Sequence, residues 1–167
     1  MAYGVVRLDN MSGTTDGSKL VSLIYINGNS KETEIANGSV VAIHERVDGE
    51  REIWKGVAVD ADVDTLGKIV LVAGVELPYD SNYANLDEWV NPAGKPTRGY
   101  ILEKGDEFSV TADCFASAVG SNKVVELADG IKLKAVASAT SGATQIGKIV
   151  GTDVVGGLTY YNIKVGI

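Results

Sequence analysis

The sequence predicts a mainly β protein, made of antiparallel β-barrel or sandwich units with one short helix near residues 83–90. Three observations predict it. From Lys104 to Ile167, apolar residues recur at every second position in short runs: GDEFSV, NKVVELADGIKLKAVAS and GLTYYNIKVG. That period of two puts one row of side chains in a core and the next in solvent. Glycine, asparagine or aspartate then breaks each run, which is turn chemistry. Finally, 167 residues suffice to bury about 70% of the unfolded surface, so the core needs no disulfide or metal.

The elements follow in order. Residues 1–37 hold two strand-like runs, GVVRL and LVSLIYI, joined by MSGTTDGSK, whose composition is that of a mobile or partner-ordered loop. Residues 38–99 form a first β-unit through GSVVAI, EIWKGVAV and KIVLVAGVEL, and then break the pattern. In NLDEWV, Leu86, Trp89 and Val90 share one face of a short helix, with Ser81 or Asn82 as N-cap. The prolines and glycine of NPAGKP end it. Residues 100–167 form a second β-unit. The tetrapeptide GKIV occurs at Gly67–Val70 and at Gly147–Val150, a repeat that a chain rich in glycine and valine also produces by chance. Two similar β-units would pack as a double barrel or sandwich.

Charge and composition narrow the function classes. The net charge is −7, from 22 acidic and 15 basic residues, and the basic ones are scattered singly. Nucleic-acid binding starts from a basic stripe, so no nucleic-acid partner is expected. The N-terminus MAYGVVRLDN lacks the basic start and apolar stretch of a signal peptide. No apolar run approaches the ~20 residues that cross a bilayer, so no membrane partner is expected either. The single cysteine, Cys114, beside Phe115 and Ala116, reads as a small buried side chain of a protein assembled in a reducing cytoplasm. Without secretion, the Asn-x-Ser sequons at Asn10 and Asn37 carry no meaning.

A search for chemistry yields four weak candidates. His44 is the only histidine. A general base needs a nucleophile and an orienting group, and a metal site needs further ligands; a surface histidine fits better, with a His44–Cys114 pair left open by spacing. Asp60, Asp62 and Asp64 imitate a calcium loop, but Thr65 and Leu71 stand where its glycine and glutamate belong, so an acidic turn is expected, with a weak divalent-ion site of another kind as the alternative left open. Gly142–Ile149 contains the Gly-x4-Gly-Lys spacing of a phosphate loop, yet β-branched residues follow where a helix should start. Trp54, Tyr79, Tyr83 and Trp89 supply a conceivable sugar platform. In the last strand, Tyr161, Ile163 and Val165 form a core face, and Tyr160, Asn162 and Lys164 the other. No catalytic, cofactor or metal residues are assigned, and no enzymatic activity is expected.

Three segments carry a resemblance: MAYGVVRLDNMSGT, NLDEWVNPAGKPTRGYILEKGDEFSVT and VVELADGIKLKAVASATSGATQIGKIV with TYYNIKV. Together they resemble the head or decoration (auxiliary capsid) proteins of tailed bacteriophages. The resemblance implies a virion protein assembled in the bacterial cytoplasm. It would sit on the outside of the head against the major capsid protein, as a homo-oligomer, with a trimer among the arrangements. The expected docking region is the first strand and loop, Gly4, Val5, Val6, Arg7, Leu8, Met11 and Lys19, through strand addition or a loop that orders on its partner. The alternatives are a receptor- or glycan-binding β-module on the virion, and a tail or baseplate component.

Overall fold

The computed structural model describes residues 2–76 and 85–167. It is mainly β, as the alternation predicts. Eleven strands are present among the described residues: β1 (Val6–Asn10), β2 (Leu20–Tyr25), β3 (Val40–Arg46), β4 (Ile53–Val57), β5 (Ile69–Val72), β6 (Thr97–Ile101), β7 (Glu107–Thr111), β8 (Val124–Leu127), β9 (Leu133–Val136), β10 (Gln145–Val155) and β11 (Leu158–Val165). Five of them close a barrel in the order β2-β4-β3-β5-β6, and six form an open sheet in the order β1-β7-β11-β10-β8-β9. The open sheet is antiparallel throughout. The barrel contains one parallel pair, β2 with β4.

The continuous apolar runs VVAI and IVLV explain how the two sheets meet. β3 and β5 are buried on both faces, so their sequences do not alternate. Val41, Ile43, Val70 and Val72 join Leu23 inside the barrel. Their neighbours Val40, Ala42, Ile69 and Leu71 point the other way, into a second cluster with Phe108, Val110, Val125, Leu127, Ile146, Ile163 and Val165 of the open sheet. A five-stranded barrel leaves little room inside. A Cβ on Gly99 would press on Val70 and Leu23, so β6 carries glycine there.

The sheet boundaries differ from the divisions at 37/38 and 99/100 that the sequence suggests. β1 belongs to the open sheet through β7, whereas β2, ten residues further on, belongs to the barrel. β6 closes the barrel and runs to Ile101. Long-range register decides this, and local alternation does not encode it. The expected short helix near 83–90 is a 310 turn over Leu86–Glu88, and residues 77–84, including Ser81 and Asn82, lie outside the described residues. Trp89 and Val90 are buried as expected, but Leu86 is 48% exposed. The Glu88 carboxylate accepts from the Asn85 N–H at 3.1 Å, which makes Asn85 the cap.

Candidate interaction surface

The N-terminal residues expected to dock are divided between core and edge. Val5 and Met11 are each 2% exposed, and Gly4 packs beside Cys114. The side chains of Val5 and Met11 are thus built into the core of the chain itself. Val6 and Leu8 are half-buried against the shared core. Arg7 holds Asp9 at 2.7 Å and Asp153 at 2.9 Å, and these carboxylates raise its pKa. Lys19 pairs with Glu103. The linker between β1 and β2 is shaped without a partner. It forms two 310 turns, Ser12–Thr14 and Gly17–Lys19. The Asp16 carboxylate caps the second by accepting from the Ser18 N–H, and the Ser12 N–H donates to Asp106 at 2.7 Å.

The two edges of the open sheet are unlike. β9 is covered: Leu133 C=O accepts from Ala116 N–H at 2.8 Å, and Ala135 C=O accepts from the Asn122 amide at 3.0 Å. β1 pairs on one side only. Val5 C=O accepts from Thr111 N–H, so alternation turns the N–H and C=O groups of Val6 and Leu8 to the outer edge. No hydrogen bond among the described residues reaches them. A bulge between Leu8 and Asn10 and the charge on Arg7 interrupt this edge, the usual means of blunting a strand against indiscriminate pairing.

The chemical candidates are structural. His44 Nε2 lies 3.1 Å from Asp64 Oδ1, and Cys114 packs instead among Val5, Asn37 and Thr111, so no His44–Cys114 pair forms. Burial pushes the Cys114 thiol up to about 12. The acidic turn uses its carboxylates internally. Asp64 accepts from Asp60 N–H at 2.8 Å, Asp60 from Asp62 N–H at 3.2 Å, and Asp129 from Ala61 N–H at 3.1 Å. Among the described residues, no group of three or more His, Cys, Asp or Glu is arranged to hold a metal ion. Gly142–Ile149 leads into β10 and not into a helix. No described helix is long and apolar enough to cross a membrane.

Neither indole is an exposed plate. Trp89 is 6% exposed with its N–H directed at Asn91 at 3.4 Å, and the half-buried Trp54 lies 5.2 Å beneath the Arg46 guanidinium. Tyr79 and Tyr83 fall outside the described residues. Beside Trp89 is an open cleft of about 440 Å³ lined by Asn91, Pro92, Lys95, Pro96 and Arg98. Sequence reasoning missed the buried polar ties that fix these loops. Asn37, 2% exposed, bonds both backbone groups of Gly74 and the amide of Asn91. Nothing in a loop asparagine's local sequence signals such a role. The chain matches no family model, no curated protein and no solved structure.

Proposed function

We propose that this chain is a virion structural protein of a tailed bacteriophage, a decoration protein that binds the outside of the capsid and stabilises it. The three-segment resemblance supports the assignment, and one structural observation carries it: β1 presents the open edge of the sheet, while the opposite edge is covered. A strand of the major capsid protein added to β1 would take hydrogen bonds from Val6 and Leu8. Each contact is small, and repetition over a symmetric shell multiplies it.

The test is co-sedimentation of purified protein with capsids that lack it. Deleting residues 1–19 is uninformative, because it removes Val5 and Met11 from the core. Val6→Pro is suitable, since proline is tolerated on an edge whose N–H faces outward. Binding should fall at least ~10-fold with the thermal midpoint retained. In the wild type, the Val6 and Leu8 amides should become protected from hydrogen exchange on capsids. Unchanged exchange at both amides would refute docking through β1, and failure of the wild type to sediment with any capsid would refute the function.

A further inference from the structure

The open edge of β1 borders a groove between the sheet and the barrel. Val6 and Leu8 line a cleft of about 180 Å³ together with Val75, Arg98 and Tyr100. Gly99 turns into the barrel, so alternation along β6 sends Arg98 and Tyr100 outward to this groove. The cleft of about 440 Å³ beside Trp89 follows directly, because Gly74, Val75 and Arg98 line both. It lies beyond the Val6 end of the strand: Gly4 packs against the Asn37 carbonyl, and the Asn37 side chain binds Gly74. Arg98 and Lys95 are exposed here, and neither side chain has an ion pair or hydrogen bond among the described residues. Among the described residues lining the two clefts, the one carboxylate is Glu76, which accepts from the Asn37 amide at 2.9 Å. A chain of net charge −7 therefore carries a positive strip next to its open strand edge.

We propose that this groove takes the acidic flank of the segment that adds to β1, with the flank's carboxylates on Arg98 and Lys95. The inference rests on β1 as the docking edge and adds the chemistry of the partner: a strand along Val6 and Leu8, then an extended acidic tail past the Val6 end. The groups left to hold a ligand select this occupant. Asn91 is engaged internally: its amide donates to Ile35 C=O and Asn37, and its oxygen accepts from the Thr97 hydroxyl and the Trp89 N–H. What remains on the wider cleft is Arg98, Lys95 and the exposed hydroxyl of Ser22, which faces Arg98 across the β2–β6 pair. All three donate to an anion. A guanidinium takes a carboxylate through two parallel N–H bonds, and the apolar walls at Pro92 and Pro96 reduce the water that screens the pair. A basic tail would meet like charge, and an apolar tail would strip water from both cations without replacing it.

Peptide titration of the full chain, followed by NMR, tests it without capsids. The probe is Val-Thr-Val-Thr-Val with four glutamates at one end, made with the acidic end first and with it last, because the strand can add in either direction. One of the two should shift the Val6 and Leu8 amides and the Arg98 Nε–H together. The same peptide with lysines for glutamates should bind at least ~10-fold more weakly. Lys95→Glu combined with Arg98→Glu changes two exposed side chains, so circular dichroism should stay the same while the preference inverts. Raising salt should weaken the acidic peptide on the wild type more than on the double variant. No binding of either acidic peptide up to about 5 mM, equal binding of acidic and basic tails, or a preference that survives the double substitution would overturn the proposal. Co-sedimentation separates it from the reading it rests on. Capsid binding that protects the Val6 and Leu8 amides but ignores the double substitution would sink the acidic tail alone. An acidic peptide held by the groove of a chain that no capsid binds would keep the tail and sink the capsid.

Discussion

Asn37→Ala should be among the most damaging polar substitutions in this chain. The side chain makes four hydrogen bonds from a buried position. It donates to Gly74 C=O at 2.9 Å and to Glu76 at 2.9 Å, and it accepts from Gly74 N–H at 2.8 Å and the Asn91 amide at 2.8 Å. Truncation leaves different losses at each partner. Glu76 is half-exposed and recovers water, and the Asn91 amide keeps its bond to Ile35 C=O at 2.9 Å. Gly74 is buried, and both of its backbone groups lose their partner. An unsatisfied buried group costs about 1–3 kcal/mol, so the two together predict a loss of about 3 kcal/mol. Urea unfolding should show a lower midpoint at unchanged slope, and the thermal midpoint should fall by roughly 6–12 °C. The control is Asn10→Ala. Asn10 heads the other Asn-x-Ser triplet but is exposed, so its loss should stay within about 0.5 kcal/mol. A loss below about 1 kcal/mol at Asn37, or an equal loss at Asn10, would refute the assignment of Gly74 as the dependent group.

Two further outcomes follow from buried contacts. Burial alone would raise the Glu126 carboxyl, but the N–H and hydroxyl of Thr140, at 2.9 and 2.7 Å, and Lys134 at 3.0 Å hold it below the ordinary value of 4.5. Its stabilising contribution is therefore complete above pH 4.5 and lost as pH falls through the lower folded value. The urea midpoint of Glu126→Gln should lie below wild type at pH 7 and converge on it as pH falls through the lowered folded value, and a constant gap would contradict this. Gly147→Ala should cost about 3 kcal/mol or prevent folding, because a Cβ there overlaps the Lys164 carbonyl, while Gly67→Ala, with no neighbour within 4 Å, should leave the thermal midpoint unchanged.

The sequence makes the open sheet far more legible than the barrel. Phe108, Val110, Val125, Leu127, Leu133, Ile163 and Val165 all occupy the core face that alternation assigns, and each is at most 1% exposed. Those strands have one face in the core, so their periodicity reports burial directly. β3 and β5 lack that signal because the barrel buries one face and the open sheet the other. The parallel pairing of β2 with β4 and the separation of β1 from β2 depend on contacts far apart in sequence. The loop over Ser12–Lys19 looked partner-dependent by composition; Asp106 and Glu103, some ninety residues away, hold it. For the candidate surface, GVVRL is legible as a strand and as an edge. That Val5 lies in the core while Val6 turns its backbone outward is decided by the register with Thr111 and Val110.

The same register argument bears on the GKIV repeat. Gly67 and Lys68 end a 310 turn before β5, and Ile69 and Val70 point to opposite sides, one to each core cluster. Gly147–Val150 lies wholly within β10, where Ile149 is buried and Val150 is exposed. A duplicated unit would place matched residues in matched surroundings, and it would repeat a topology. Here one unit is a closed barrel with a parallel pair, and the other is an open antiparallel sheet. The barrel also contributes Val40, Ala42, Ile69 and Leu71 to the core that the sheet closes. Separating the two would expose that apolar face, a loss no small domain sustains when one buried leucine or valine contributes about 1.5–3 kcal/mol. The chain therefore folds as one cooperative body, and the open edge of β1, through Val6 and Leu8, is held against the common core.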